Sequence, residues 1–255
     1  MKLATWNVNS IRARELLVID WLRRNEPDVL CLQETKVVDD DFPTDELQRL
    51  GYSVAMAGQR TYNGVAIVSR RPLHEVSVGL WDDAPDADKR LIAATVDGIR
   101  IVSVYVPNGK AVDSPAFEYK LSWLARLRQT LDKGLAPDAE VAVCGDFNVA
   151  LDERDVYDPD AFRGKLHFHP DEHAAIQRLL RFGLVDAYRL HHSEGGQYSW
   201  WDYRGGGFRR DQGLRLDYAF ISQELAARCT GVTMDREERR RDRPSDHIPV
   251  VVDFE

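Results

Sequence analysis

Short apolar runs that each end in a polar, acidic or amide residue constrain this chain more than any other feature. Residues 28–33 (DVLCLQ) and 140–145 (EVAVCG) are nearly continuous apolar stretches of strand length. Such runs suit strands covered on both faces, which need a packed layer on each side. Further strand-like runs occupy residues 2–8, 52–56, 64–68, 90–96, 100–106, 214–221 and 249–254. Helical periodicity falls between them. Asn9 or Ser10 is placed to cap a helix carrying Ile11, Leu16, Ile19 and Leu22 before Pro27. The spacing of Phe117, Leu121, Leu124 and Leu131 predicts a helix over residues 114–132, with Ser114 as N-cap and Pro115 at the first helical position. Another is expected over residues 170–182, ended by Gly183. Many strands with few helices predict an α/β (α+β) chain in which two packed sheets are flanked by helices. No linker, low-complexity stretch or repeat divides it, so residues 1–255 read as a single domain.

The segments are too short for the roughly 20 apolar residues of a membrane span, and the first residues lack a signal-peptide pattern. A cytoplasmic protein without a membrane partner is expected. Cys31, Cys144 and Cys229 lie in apolar runs and read as buried thiols, not as a disulfide framework. The net charge of −8 argues against a polyanionic partner only weakly, because binding depends on where charges lie. Basic residues do cluster in 204–210 (RGGGFRR) and 236–243 (REERRRDR), as a nucleic-acid face or a solvated surface.

The run-ending residues make a coherent set for phosphate chemistry. Asn7 ends the first run, Glu34 follows DVLCLQ with Lys36 close behind, and Tyr105 and Asn108 end IVSVYVPN. Asp146 and Asn148 follow VAVCG, Asp217 sits inside LRLDYAF, and Asp246 and His247 precede IPVVVDF. Singly, each is most simply a turn or capping residue. Asp217 is harder to dismiss, because a carboxylate inside an apolar strand is costly unless paired or metal-bound. A phosphodiester is anionic and resists attack, so its hydrolysis calls for a divalent cation held by oxygen ligands. Glu34 is the best candidate ligand. Asp146, with Asn148, would position the attacking water. His247, if held by Asp217, would be favoured as imidazolium and stabilise phosphoryl charge. No zinc spacing, nucleophile elbow or glycine-rich phosphate loop competes with this reading.

The segments WNVNS, LQETK, VYVPNG, GDFN, YSWWDYR, GLRLDY and SDHIPV occur in the order found in the exonuclease III family of abasic-site DNA endonucleases, and from residue 4 to residue 251 the chain resembles that family. The resemblance implies a four-layered α/β sandwich with mixed sheets. It also implies hydrolysis of the backbone 5′ to abasic sites, with 3′–5′ exonuclease and 3′-end-cleaning activity. Magnesium is the implied cofactor and manganese its alternative. Double-stranded DNA with abasic sites or 3′ ends is the implied partner of a monomer. It assigns Asn7, Glu34 and Asp246 to the metal, though Asp246 reads equally as a hydrogen-bond acceptor without metal contact. Asp146 and Asn148 fall at the water-positioning pair, Tyr105 and Asn108 at the phosphate, His247 and Asp217 at the family's His–Asp pair, and Lys36 beside the metal ligand. Trp200, Leu214 and Leu216 match an apolar slot for a flipped baseless sugar, although Trp200 and Trp201 also suit plain packing. Another phosphodiesterase of the superfamily, acting on RNA or a small phosphate ester, or an inactive DNA-binding relative, are the alternatives. Residues 152–169 carry no motif and are expected to form a plain exposed loop, and Asn9 and Ser10 to serve as helix caps.

Overall fold

The computed structural model describes residues 1–84, 87–136 and 138–255. Its strands are β1 (Lys2–Asn7), β2 (Val29–Gln33), β3 (Ser53–Ala57), β4 (Val65–Ser69), β5 (His74–Val78) and β6 (Leu91–Val96). They continue with β7 (Ile99–Tyr105), β8 (Val141–Asp146), β9 (Leu184–Asp186), β10 (Asp217–Ser222), β11 (Cys229–Met234) and β12 (Val250–Phe254). The helices are α1 (Ile11–Asn25), α2 (Thr44–Arg49), α3 (Pro115–Gly134), α4 (Pro159–Phe162), α5 (Pro170–Leu180), α6 (Ala187–His191) and α7 (Gln223–Ala226). No helix of the described residues is long and apolar enough to cross a membrane.

Two six-stranded mixed sheets form, in the orders β11-β12-β1-β2-β4-β3 and β5-β6-β7-β8-β10-β9. Their inner faces meet in one apolar layer, to which the first sheet brings Leu3, Val29 and Ile67 and the second Ile92, Ile101 and Ile221. Val18, Trp21 and Leu22 of α1 cover the outer face of the first sheet at Trp6, Leu30 and Leu32. Leu124 and Leu127 of α3, with Ile176 and Leu179 of α5, cover the second at Val102, Val141 and Val143. The expected sandwich of helix, sheet, sheet and helix is therefore present, and the central runs are strands buried on both faces. Cys31 and Cys144 lie in this core, whereas Cys229, also a free thiol, is only half-buried on β11.

Register places the polar ends. Tyr105 on β7 lies beside Asp146 on β8, which lies beside Asp217 on β10, so three functional candidates form one row across three hydrogen-bonded strands. In the facing sheet Asn7 on β1 is level with Gln33 on β2, the residue before Glu34.

Three local expectations are corrected. The run 214–221 is a strand only from Asp217, because Leu214 forms isolated bridges instead, so Asp217 opens β10 and does not sit inside it. Helix α1 starts at Ile11 without a side-chain cap: Ser10 has φ 90° and makes no capping bond, while the Asn9 amide turns toward Asp246. Residues 152–169 are not a plain exposed loop. They hold α4 and a short 3-10 turn at Glu153–Asp155, and bury Asp155 and Phe168. Ser114 caps α3 as expected, accepting from the Phe117 amide.

Candidate active site

The sheet ends converge on one polar cluster. Asn7, fully buried at the end of β1, donates from Nδ2 to Glu34 Oε1 at 2.8 Å and to Asp146 Oδ2 at 2.9 Å, tying the two sheets together. Its Oδ1 accepts from the Asn9 amide at 3.0 Å, so Asn7 presents nitrogen, not oxygen, to both carboxylates. Glu34 follows β2 in the left-handed region at φ 51°, as does Lys36 at φ 56°. Such conformations cost energy outside glycine and persist where surroundings impose them. Lys36 Nζ lies 2.8 Å from Glu34 Oε2 and donates to Asn9 Oδ1 at 2.5 Å. Asn9 donates in turn to Asp246 Oδ1 at 2.9 Å, and Trp200 Nε1 to Asp246 Oδ2 at 3.0 Å. Asp246 is thus tied to the cluster through Asn9 and Trp200.

Asp146 is buried at the end of β8. The preceding Gly145 has φ +145°, and a Cβ there would lie 1.9 Å from the Val104 carbonyl oxygen, so the strand end admits only glycine. The Asn148 backbone N–H donates to Asp146 Oδ1 at 2.8 Å. Asn148 Nδ2 donates to the Val106 carbonyl at 3.0 Å, and its Oδ1 accepts from Asn108 Nδ2 at 3.2 Å. The two amides therefore share one wall.

His247 closes the cluster. Its Nδ1–H donates to Asp217 Oδ2 at 2.8 Å, and its Nε2 faces Asp146 Oδ2 at 3.6 Å. Ser199 Oγ donates to the same Asp217 oxygen at 2.6 Å. Burial opposes charge on the imidazole, but Asp217 and Asp146 outweigh it and raise the His247 pKa to about 10. His247 is therefore an imidazolium at neutral pH. Asp146 moves up to about 7: burial drives the shift, His247 opposes it, and Asp217 and Glu34 add to it. Burial and the charges of Glu34 and Asp146 raise Tyr105, which stays a neutral phenol able to donate. Asp246 is lowered despite its burial, by the charge of His247 and the bonds from Asn9 and Trp200.

Among the described residues, the four carboxylates Glu34, Asp146, Asp217 and Asp246 thus share two ion-paired cations, Lys36 and His247, and buried Asp217 Oδ1 has no hydrogen-bond partner. That surplus of negative charge suits a divalent cation. Among the described residues, Glu34, Asp146 and His247 bring possible ligand atoms within 4.8 Å of one another. Protonated at both nitrogens, His247 has no lone pair to offer, which leaves the carboxylate oxygens.

Leu214 and Leu216 are almost fully buried with Val156 and Phe168, and half-exposed Trp200 packs against them. His167, in the segment expected to be a plain loop, places its ring centroid 6.4 Å from that of Trp200 and donates from Nδ1 to the Asn148 carbonyl at 2.6 Å. Burial and the charges of Lys120 and His247 lower its pKa to about 3, so it is neutral. A groove lined by Glu34, Tyr105, Asn108, Arg90, Tyr62 and Lys110 opens on the other side. The basic runs divide. Arg204, Arg209 and Arg210 are exposed, whereas Arg236, Arg239 and Arg240 stack over Phe208, with Arg236 also over Trp201.

Sequence reasoning missed Asn9, Ser199 and His167. Asn9 and Ser199 stood inside conspicuous segments, WNVNS and YSWWDYR, and Ser199 lies between Tyr198 and Trp200. His167 stood in a segment read as a plain loop.

A model of the endonuclease/exonuclease/phosphatase family matches residues 4–247. The chain is 34% identical to exodeoxyribonuclease III of Haemophilus influenzae, over the whole length of both. A structure of a 3′ phosphatase from Neisseria bound to a product DNA hairpin superposes with a TM-score of 0.97 at 43% identity, covering 100% of this chain and 99% of that one. An AP endonuclease from Archaeoglobus fulgidus superposes with a TM-score of 0.96 at 41% identity, over the same shares of the two chains.

Proposed function

From the premise that this chain belongs to the endonuclease/exonuclease/phosphatase family, we propose that it hydrolyses DNA phosphoesters, 5′ to abasic sites and at 3′ ends. One observation carries this: the Tyr105–Asp146–Asp217 row of one sheet faces Asn7 and Glu34 of the other, with an imidazolium held between the two aspartates. The substrate reading draws on the DNA-acting relatives matched over the full chain.

The roles follow from protonation and position. Asp146, with its pKa near neutrality, is basic enough to take a proton from the attacking water and is oriented by Asn7 and Asn148. His247 and the Tyr105 phenol bring positive charge and a donor to the phosphoryl oxygens. Asn108 and Asn148, bonded to each other, meet the phosphate on one side and Lys36 on the other. Asp217 and Ser199 hold His247 in its charged form. Glu34 would hold magnesium, or manganese, with Asn7 and Asp246 beside it, and a bound cation supplies charge neutralisation for the phosphate and the leaving oxygen. Trp200 forms the apolar wall for the sugar, with buried Leu214 behind it. Every residue of the site comes from one chain, so a monomer suffices.

A second observation shifts the balance within this repertoire. Leu214 and Leu216 are buried against Val156 and Phe168, and the His167 ring lies 6.4 Å from that of Trp200. An internal abasic sugar must swing into that space, whereas a 3′-terminal group enters along the groove. The 3′-end reactions are therefore the stronger ones. The test is a duplex with a single tetrahydrofuran site and a nicked duplex ending in a 3′ phosphate, each incubated with magnesium. Cleavage of neither, with hydrolysis of an inositol or lipid phosphodiester, overturns the substrate reading. His167→Ala raises incision at tetrahydrofuran relative to 3′-phosphate removal; an unchanged ratio overturns the role of His167.

A further inference from the structure

Behind the amide wall lies a buried cation that the chemistry above does not use. Lys120 sits on the apolar stripe of α3, three residues after Phe117 and four before Leu124, and is fully buried. An ammonium has three N–H donors. One goes to the Asn148 carbonyl at 2.7 Å, one to the Asn108 carbonyl at 3.2 Å and one to the Glu172 carboxylate. Glu172, equally buried, accepts with its other oxygen from the His169 amide at 3.1 Å, at the start of α5. The lysine stem supports the same turn: a Cβ on Gly109 would lie 3.1 Å from Lys120 Cδ. Asn148 is in the left-handed region at φ 53°, so its turn needs external support.

Stability alone does not account for this arrangement. An apolar pair of similar volume commonly serves a core as well as a buried ion pair or better. It cannot, however, donate to two carbonyls at once. We infer that Lys120, held by Glu172, is a positioning residue that clamps the main chain of Asn108 and Asn148 so that both side-chain amides meet the same phosphate. The inference rests on the phosphoesterase reading above and deepens it.

The test compares Lys120→Met/Glu172→Gln with Lys120→Gln/Glu172→Gln. Neither has the ion pair, but only the second keeps an N–H donor at position 120. The clamp predicts that the first folds with kcat down about 30- to 100-fold, the scale of a misplacement near 1 Å, and KM within about threefold. The second recovers at least about a third of the lost logarithmic rate. A cycle with Asn108→Ala adds a readout that a purely structural pair would not move: in that background the methionine variant loses less than it does in the wild type, because one of the two residues it positions is gone while Asn148 remains. Wild-type kcat in a folded methionine variant, equal losses in both variants, or full additivity with Asn108→Ala overturns the inference. If the methionine variant does not fold, the glutamine variant is judged on the same cycle. The wild type and Asp146→Asn run alongside: a wild type that cleaves no DNA strikes the phosphoesterase reading, whereas normal cleavage by the methionine variant strikes only the clamp.

Discussion

Two buried charged clusters lie on neighbouring strands, and they are built on opposite plans. Around Arg215, the guanidinium bonds Asp155 at 2.8 and 3.0 Å and Asp186 at 2.7 Å, Arg189 also reaches Asp155, and the rings of Tyr218 and Tyr188 lie 4.3 and 5.1 Å from the Arg215 carbon. Two arginines meet two aspartates, and the charges balance. Around Asp146, carboxylates outnumber the cations paired with them, and the backbone at Glu34, Lys36 and Asn148 is left-handed. Balance marks a cluster that holds the chain together. Imbalance, strain and a carboxyl pKa near neutrality mark one prepared for a ligand and for proton transfer.

The contrast is broken most directly by single substitutions. Asp146→Asn lowers kcat about 10³-fold or more, and because it relieves repulsion among carboxylates the metal-free protein melts no lower than wild type. A clearly lower melting temperature would place Asp146 with the structural cluster. His247→Asn follows at about 10²- to 10³-fold in kcat, the scale of losing one charge stabiliser, with DNA affinity measured in parallel and changed much less. Arg215→Leu reverses the pattern: denaturant unfolding shows a loss of about 3–5 kcal/mol from stranding Asp186 and leaving Asp155 with Arg189 alone, while kcat per folded molecule stays within a fewfold of wild type.

How much of this the sequence held depended on whether chemistry and patterning coincided. Asn7, Glu34 and Asp146 were visible because each closes an apolar run, Asp217 because it is a carboxylate within one and His247 because it immediately precedes one, and mixed sheets bring such ends to one edge. The core strands were visible for the same reason. Strands β5, β9 and β11 were not: β5 is exposed along its whole length, β9 has three residues, and β11 is only partly buried. His167 was set aside with a segment read as a plain loop, because a hydrogen bond to a main-chain carbonyl, here that of Asn148, leaves no pattern of side-chain types. Lys120 did leave a trace, a lysine on a helix's apolar stripe, but periodicity counts apolar positions and passes over the exception.

The smallest expected effect is in pH dependence. A carboxyl whose pKa rises from 3.8 to about 7 on folding binds protons more tightly in the native state. Stability of the metal-free protein therefore falls as pH rises from about 4 through 7. His247, raised to about 10, adds stability that is complete below pH 6.5 and is lost toward pH 10. In chelator, thermal melting of Asp146→Asn should be flatter between pH 4 and 7 than that of wild type, and added magnesium should restore wild-type stability at pH 7 through binding to the native state alone. Parallel melting curves for the two proteins would show that Asp146 does not carry the imbalance.

The central claim is that the unbalanced cluster cleaves DNA phosphoesters with a divalent cation. Single-turnover reactions on a duplex with one tetrahydrofuran site and on a nicked 3′-phosphate duplex, in magnesium or in chelator, test it most directly. The expected result is 3′-phosphate release and incision 5′ to the tetrahydrofuran in magnesium, the former faster, and loss of both in chelator and in Asp146→Asn. Undiminished turnover in chelator, or in Asp146→Asn, would contradict it.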